Sequence, residues 1–348
     1  MAFPDGWTKR LTVTASPTVV GTGGVTDFTT LVSAAALYAL LSSLREDGGD
    51  LVCTLNADGT GRLAIDVLPG WSSSDGTGFV RVGPLSLSSV STNTLYFWGG
   101  NPSATQPAAG AAHGQHAAYD SGWAAYYPLD GDGDDRTANG RHLYAYSGTP
   151  DFGSQLVGGG VELDIGDALQ VDDGIFGGVP PVMVLAWIKH SSDGAEVEDW
   201  AFYKTLTTGA GFFLRRRAAD NYRLIHLGGG TSHYVTKTPS SATTNWHHIA
   251  AWYDAGNIYL DLDASGSAVS GAADTEGAVV AFRLNGGGGS QKDDVQVHLA
   301  VRSAAWIETE YRQTSAPGTF WQAGTLDTIG GSSGGARRRR LIICGRVR

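Results

Sequence analysis

The segment DDVQVHLAVRSAAWIETEYRQTSAPGTFWQAG, Asp293–Gly324, contains the pattern that decides the fold. Every second residue over 295–301 is apolar, which is typical of a β-strand with one face in a core. A helix is predicted over Ala304–Gln313, because Ser303 can cap its start and Pro317 lies beyond its end. The sequence therefore predicts a strand that runs into a short helix near the end of the chain.

The same strand pattern recurs along the chain. Alternating or β-rich runs cover Trp7–Thr14, Leu51–Leu55, Leu63–Leu68, Leu95–Trp98, Trp246–Tyr253 and 258–263. The run VMVLAWI, Val182–Ile188, is continuously apolar, as expected of a strand covered on both faces. A second helix is predicted over about Ala34–Arg45, with Ser33 as its cap and Asp47-Gly48-Gly49 after it. Glycine makes up 50 of 348 residues, about twice the usual share, and such frequent turns favour an all-β protein.

Composition and charge limit the classes of function that the chain can have. Hydrophobic residues are 42% and charged residues 17%, so the chain can form a packed core. The net charge is −10, although the last eighteen residues carry six arginines and no acid. The rest of the chain is therefore strongly acidic, which argues against binding to nucleic acid.

The start of the chain, MAFPDGWTKR, lacks the apolar stretch of a secretory signal. The apolar run Ala34–Leu41 is much shorter than the ~20 residues that span a bilayer. Cys53 and Cys344 do not form a recognisable disulfide framework. We therefore expect a protein that folds in a cytoplasm and does not enter a membrane.

Composition also predicts the domain organisation. Residues 1–100 form a small β-sandwich domain with one helix, and residues 101–122, rich in Ala, Gly and Pro, form a surface linker. Residues 123–328 form the second β domain. Residues 329–348 form a Gly/Ser hinge and a basic tail.

The segment Asp293–Gly324 closely resembles the closing segment of laminin-G-like (concanavalin A-like) jelly rolls in bacterial surface and phage proteins. There, a last strand with paired acids runs into Arg-Ser, a helix with Trp-Ile and Glu-Tyr, and then Pro and Phe. Further landmarks stand in family order: WAAYYPLDGDGDDRTANGRHL, VGGGVELDIGDALQV, VMVLAWIKH, NWHHIAAWYDAGNIYLDLD and the turn Gly286–Gly289.

The first domain is similar to the small β-sandwich domain of unknown function that often precedes such jelly rolls. The similarity rests on WTKRLTV, DFTTLVS, GGDLVCTLNADGT and LYFWGGNPSAT. The two resemblances cover about residues 3–325 and imply an all-β chain of two β-sandwich domains, the second a jelly roll with a short C-terminal helix. This fold serves lectins, glycosidases and structural modules alike.

An acidic turn, YYPLDGDGDDRTANGRHL, occupies residues 126–143. Asp130, Asp132 and Asp134 match the first, third and fifth positions of an EF-hand loop. Asp135 replaces the required glycine and Arg141 replaces the bidentate glutamate, so the EF-hand interpretation fails. A polar turn and a weak calcium site remain as alternatives.

Glu162, Asp164 and Asp167 resemble the Glu-x-Asp-x-x-Glu signature of retaining glucanases that share this fold. The resemblance implies that Glu162 and Asp167 act as nucleophile and acid/base, which requires a separation of about 5–5.5 Å. Aspartate at 167 is one methylene shorter than the glutamate of the signature. The alternative is a strand that runs into an ordinary loop.

The tail carries an arginine run, Arg337, Arg338, Arg339 and Arg340, followed by the apolar LIIC. These residues are the predicted partner-docking site, and a loose solvated tail is the alternative.

His247 and His248 are neighbours in a strand and therefore cannot share a metal.

Three tyrosines near predicted turns are candidates for stacking on sugar rings: Tyr144, Tyr146 and Tyr234. Tyrosines of this kind also fill sandwich cores or rims, and the sequence alone does not separate the two cases.

Taken with the family resemblance, these observations predict a non-enzymatic bacteriophage virion protein: a tail-fibre, baseplate or capsid-decorating adhesin. Its jelly roll would contact host-surface glycans or neighbouring subunits, and its partners would be other virion proteins and further copies of itself. We expect no cofactor, synthesis in the host cytoplasm and a place on the virion surface. The alternatives are a glycoside hydrolase using Glu162 and Asp167, or a bacterial surface lectin.

Overall fold

A computed structural model describes residues 6–172, 182–191, 197–203, 211–217, 221–228, 231–271, 281–286 and 289–328. The predicted fold class is confirmed: antiparallel sheets dominate, two of them form a concanavalin A-like jelly roll, and a short helix follows near the C-terminus.

The strands of the first part of the chain belong to two small sheets. The strands are β1 (Lys9–Ala15), β2 (Val25–Ser33), β3 (Val52–Thr54), β4 (Ala64–Val67), β5 (Phe79–Leu87) and β6 (Asn93–Gly99). Strand β5 lies between β2 and β4 in one sheet, and β1 and β6 pair along their full length in the other.

The strands of the jelly roll follow. They are β7 (Trp123–Tyr127), β8 (Tyr144–Ser147), β9 (Asp151–Val157), β10 (Gly159–Leu163), β11 (Ala168–Val171), β12 (Val182–His190), β13 (Val197–Tyr203), β14 (Gly211–Arg217), β15 (Asn221–Gly228), β16 (Thr231–Lys237), β17 (His247–Asp254), β18 (Asn257–Leu262), β19 (Ala268–Ser270), β20 (Ala281–Asn285) and β21 (Ser290–His298). A last strand, β22 (Gln322–Thr328), closes the described chain.

Two facing sheets make up the jelly roll. The front sheet has the order β16-β15-β14-β13-β20-β11-β8. The back sheet has the order β19-β18-β17-β12-β21-β10-β9, with β7 also paired to β21. All pairings between these strands are antiparallel, so side chains alternate between the interior and the outer face of each sheet.

The helices differ in part from the prediction. In place of one helix over Ala34–Arg45, a 3-10 helix covers Ala34–Leu37 and a single α-helical turn, α1 (Tyr38–Leu41), follows. Ser33 caps the start as predicted. The α-helix does not continue to Arg45, because the backbone N–H groups of Ser43 and Leu44 bond to the carbonyl three residues back and form turns. Helix α2 (Ala304–Ser315) matches the helix predicted over Ala304–Gln313 and is capped by Ser303, and α3 (Pro317–Phe320) follows it.

Two hydrophobic clusters form the core. One fills the space between the front and back sheets. The other joins the first part of the chain to the outer face of the back sheet, and Trp306 and Ile307 of α2 belong to it. Strand β12 contributes to both clusters, Val184 to the first and Leu185 to the second. The prediction that this apolar strand is covered on both faces is therefore confirmed.

The two ends of the described chain meet in one sheet. Strand β22 pairs with β1 from Lys9↔Thr328 to Thr14↔Gln322, although the predicted division placed residues 322–328 in the jelly roll. The segment 101–122 is more than a surface linker at its end, because Ala118 and Tyr119 are buried in the shared core. The domain division as a whole stays a prediction.

Within the described residues, none of the helices is long and apolar enough to cross a membrane.

Candidate functional site

The outer face of the front sheet carries a group of aromatic and polar side chains at its β8 edge. Strand β8 pairs with β11 so that Tyr144 lies opposite Gln170, and β11 pairs with β20 so that Gln170 lies opposite Arg283. Leu169, on the alternate face of β11, is buried in the interior cluster. The side chain of Gln170 therefore points to the outer face, beside those of Tyr144 and Arg283.

Hydrogen bonds and one cation–π contact join a set of five residues, here called the front-face cluster: Tyr144, Tyr146, Gln170, Asp172 and Arg283. Arg283 Nε donates to Gln170 Oε1 at 2.7 Å, and its guanidinium carbon lies 3.9 Å from the centroid of the Tyr146 ring. Gln170 Nε2 and Tyr144 Oη both donate to the carboxylate of Asp172. The hydrogen bond to Asp172 raises the pKa of the Tyr144 hydroxyl above its usual value.

The front-face cluster combines exposed rings with positioned polar groups. Tyr144 is 44% exposed and Tyr146 is 50% exposed, although each is held by a polar neighbour. A sugar ring presents an apolar C–H face, which stacks on an aromatic ring, and a rim of hydroxyl groups, which bond to carboxylate, amide and guanidinium groups. The arrangement is therefore suited to binding a sugar ring by stacking and hydrogen bonds.

The third tyrosine lies at the opposite edge of the same face. Tyr234 of β16 is 53% exposed, and the guanidinium carbon of Arg223 lies 4.4 Å from its ring centroid. Strands β8 and β16 are the two ends of the front sheet, so Tyr234 and Tyr146 are roughly 30 Å apart at the usual strand spacing. The structure brings Tyr144 and Tyr146 together but leaves Tyr234 as a separate position.

The sequence analysis did not single out Gln170, Asp172 or Arg283. Gln170 and Arg283 stand at outward positions of alternating strands, and Asp172 directly follows β11, a pattern that many solvent-facing residues share. Only the pairing of β8, β11 and β20, which are far apart in sequence, brings the three together.

The acidic turn is organised by its own backbone. Asp135 is buried, and its carboxylate accepts hydrogen bonds from the backbone N–H groups of Tyr126, Thr137 and Arg141 at 2.9–3.0 Å. This agrees with the polar-turn interpretation. Across the residues that the structure describes, His, Cys, Asp and Glu side chains do not gather in a group of three or more that could hold a metal ion.

The acidic side chains of the glucanase-like motif also form hydrogen bonds within the fold. Asp167 accepts from the backbone N–H of Thr149 and of Asp164, each at 3.0 Å, and so fixes the turn between β10 and β11. Glu162 lies on β10 and accepts from Gln291 Nε2 at 3.1 Å. Since Asp167 is bound to backbone N–H groups, the arrangement favours the strand-and-loop interpretation over catalysis.

One Ser-His-Asp arrangement appears that the sequence did not indicate. Ser241 Oγ lies 3.4 Å from His247 Nε2, and His247 Nδ1 lies 2.8 Å from Asp263 Oδ2. However, His247 Nε2 also lies 3.1 Å from the carbonyl oxygen of Ala242. Burial by itself lowers the pKa of His247, but the bonds to Asp263 and Ala242 outweigh it and raise the pKa. A carbonyl oxygen can only accept, so Nε2 donates to Ala242 and is not placed to take a proton from Ser241.

His247 and His248 point to opposite faces, as predicted. His247 lies beside Tyr222 of the front sheet, whereas His248 lies against Trp187 and Tyr311 on the outer face of the back sheet.

The predicted docking residues Arg337, Arg338, Arg339 and Arg340 lie outside the described residues.

A cleft of about 640 Å³ lies between residues 23–27, 86–93 and 301–306. Its polar lining is engaged: Arg302 forms two bonds to Asp120 at 2.9 and 3.0 Å, and the Asn93 side chain bonds the backbone of Ser88. The front-face cluster, with two half-exposed rings, is therefore the stronger candidate for ligand binding.

The comparison with known protein families supports the jelly-roll fold. Residues 164–308 match the concanavalin A-like lectin/glucanases superfamily. The matched residues begin after β10 and include β11 and β20, which carry Gln170 and Arg283 of the front-face cluster. The jelly roll of this chain is thus concanavalin A-like in sequence as well as in fold. No curated protein sequence matches the chain.

Several solved structures are similar to part of this chain at low identity. The botulinum neurotoxin serotype D binding domain is 13% identical with a TM-score of 0.45, over 55% of this chain and 51% of the toxin domain. Domain 4 of a GH43 extracellular arabinanase from Geobacillus stearothermophilus, in complex with arabinotriose, is 16% identical with a TM-score of 0.45, over 55% of this chain and 98% of that domain. The binding domain of botulinum neurotoxin DC, in complex with SialylT, is 7% identical with a TM-score of 0.46, over 56% and 52% of the two chains. This chain thus covers about half the length of the toxin domains.

Proposed function

We propose that this chain is a non-enzymatic, glycan-binding structural protein of a bacteriophage virion, and that the front-face cluster is its glycan-binding surface. The observation that carries the binding role is the pair of half-exposed tyrosines, Tyr144 and Tyr146, on an open sheet face. Both rings are already held by polar neighbours, so little side-chain entropy is lost when a sugar stacks on them. The match to a superfamily of lectins and glucanases supports the same role.

Replacing Tyr146 by alanine should weaken glycan binding about tenfold, or ~1.4 kcal/mol, because the stacking surface and the support for Arg283 are both lost. A glycan array probed with the full chain would first identify a ligand, and calorimetric titration would then compare the variants. Tyr144→Ala should have an effect of similar size.

Tyr38→Ala is the matched control, since Tyr38 is 77% exposed and lies on α1 in the first part of the chain. Its affinity should equal that of the unaltered protein. If the array shows no bound glycan, or if Tyr146→Ala and Tyr38→Ala bind equally well, the front face is not the binding surface.

The virion role rests on different observations. The resemblance of Asp293–Gly324 extends to phage proteins, and the chain combines an acidic body with a basic tail. We propose that Arg337–Arg340 dock this tail on an acidic surface, either of a sister subunit or of another virion protein. The protein would be made in the host cytoplasm and displayed on the virion surface.

The tail proposal predicts salt-sensitive self-assembly. Light scattering should show that the full chain associates at low salt and dissociates at high salt, where charges more than a few ångströms apart are screened. Replacing Arg337–Arg340 by serine should leave the protein monomeric in both conditions. Serine at Arg346 and Arg348, in the same tail but outside the run, is the control and should still associate. A full chain that is monomeric at every salt concentration would rule out self-docking through the tail.

A further inference from the structure

A lysine and an aspartate face each other inside the jelly roll. Lys292 belongs to β21 of the back sheet, Asp199 belongs to β13 of the front sheet, and both are fully buried. The Nζ atom of Lys292 lies 3.6 Å from Oδ1 of Asp199. A bulge in β13 between Glu198 and Trp200 makes Asp199 an extra residue, and bulges of this kind redirect side chains. The bulge turns Asp199 inward.

The hydrogen bonds of this pair are unevenly distributed. Lys292 Nζ donates to the carbonyl oxygen of Asn285 at 2.7 Å and to Ser290 Oγ at 2.5 Å, which leaves its third donor toward Asp199. Neither carboxylate oxygen of Asp199 has a hydrogen-bond partner among the described residues. A buried carboxylate without hydrogen bonds is unfavourable, and the nearby charges of Lys292, His190 and Arg216 only partly replace those bonds.

Burial makes the neutral amine of Lys292 easier to reach than that of an exposed lysine. Burial lowers the pKa of Lys292 to about 8, more than the nearby charge of Asp199 raises it. Burial raises the pKa of Asp199, but His190, Lys292 and Arg216 together bring it below its usual value. A proton must therefore move to the carboxyl group before it can react with an amine. His190 Nε2, 3.5 Å from Asp199 Oδ2, is placed to carry that proton.

Other groups complete the environment. Arg216 bonds Thr243, the backbone N–H of His190 donates to the carbonyl of Thr243, and the rings of Tyr222 and His190 lie 5.9 Å apart. All of these side chains are buried, so bulk water does not separate the amine from the carboxyl group.

From this juxtaposition we propose that Lys292 and Asp199 form an intramolecular amide bond that links the front and back sheets covalently. Nζ of Lys292 attacks Cγ of Asp199, the C–N bond forms, and one C–O bond of the carboxyl group breaks. The departing oxygen leaves as water with two protons of the lysine ammonium group, and one hydrogen stays on the amide nitrogen. No oxidant, reductant or external reagent is needed.

Intact mass spectrometry of the purified full chain, fully denatured, tests the bond directly. The mass should be lower than the sequence mass by one water molecule. A tryptic digest should contain one branched peptide with both Lys292 and Asp199. A chain with the full sequence mass would overturn the proposal, and this result does not depend on whether any variant folds.

Variants locate the bond and separate it from loss of water elsewhere. Lys292→Arg keeps the charge but lacks the amine, so it should show its full sequence mass. Asp199→Asn should form the same bond with loss of ammonia, so its mass should become identical to that of the linked unaltered chain. Lys237→Arg is the matched control, because Lys237 lies 3.4 Å from Asp261 in a less buried pair and should still lose one water. If Lys292→Arg also loses water, the bond is not at Lys292.

Discussion

Replacing Arg81 by methionine is expected to lower the free energy of unfolding by about 3–5 kcal/mol. Arg81 is fully buried on β5 and bonds Asp294 of β21 at 2.7 Å and Glu310 of α2 at 2.9 Å. Without the guanidinium group, two buried carboxyl groups remain without a cation. Burial and the charge of Asp294 already raise the pKa of Glu310 despite Arg81, so the remaining pair would be costly to ionise. Guanidinium denaturation, followed by tryptophan fluorescence, measures the change.

The control for Arg81→Met separates charge imbalance from lost packing. Arg81→Met combined with Asp294→Asn and Glu310→Gln removes all three charges, and replacing a whole buried ionic group by neutral residues is often tolerated. We expect the triple variant to recover most of the lost stability. Arg45→Met, which removes an exposed pair with Asp47, should leave the denaturation midpoint unchanged. Equal losses in the single and triple variants would show that packing, not charge, dominates.

The burial of Arg81 could not be predicted from local sequence patterns. Val80 and Val82 alternate with Arg81, so the pattern assigns the arginine to solvent, yet the outer face of this strand is covered by β21 and α2. The acids that neutralise Arg81 stand more than 200 residues later in the chain. Local alternation carries no information about such a partner.

The parts of the fold that local patterns determine were predictable. The apolar run of β12 indicated two covered faces, and Ser303 with Pro317 bounded helix α2, although a further helical turn, α3, begins at Pro317. The front-face cluster was predictable only in its tyrosines. Gln170 and Arg283 gain their role from the pairing of β11 with β20, which depends on the folding of more than a hundred intervening residues.

The second large effect is expected at Trp321, where Trp321→Ala should lower the free energy of unfolding by about 3–5 kcal/mol. The ring is fully buried between α3 and β22, within the core shared by the first part of the chain and the back sheet. Its indole N–H donates to Thr30 Oγ1 at 2.8 Å. Trp321→Phe keeps most of the apolar volume but loses that hydrogen bond, so a smaller loss of about 1–2 kcal/mol is expected.

Trp321 and Arg81 are linked by a continuous set of hydrogen bonds. Thr30 Oγ1 donates to Gln313 Oε1 at 3.0 Å, and Gln313 Nε2 donates to Glu310 Oε2 at 2.6 Å, which completes the path to Arg81. Residues in one buried network do not contribute independently, so Trp321→Phe and Arg81→Met should be non-additive by roughly 0.5–3 kcal/mol when combined.

The shape of the denaturation curve of Trp321→Ala then decides how the chain is organised. If the first part and the jelly roll unfold as one unit, the variant should show a single transition at lower denaturant, with an unchanged slope. If residues 1–100 form an independent domain, the curve should show two unfolding transitions. Only the midpoint of the first part should shift to lower denaturant concentration, and the midpoint of the jelly roll should stay unchanged. The shared core, and the pairing of β22 with β1, favour the single transition. Two separated transitions would instead show that the contacts around Trp321 are too weak to couple the two parts.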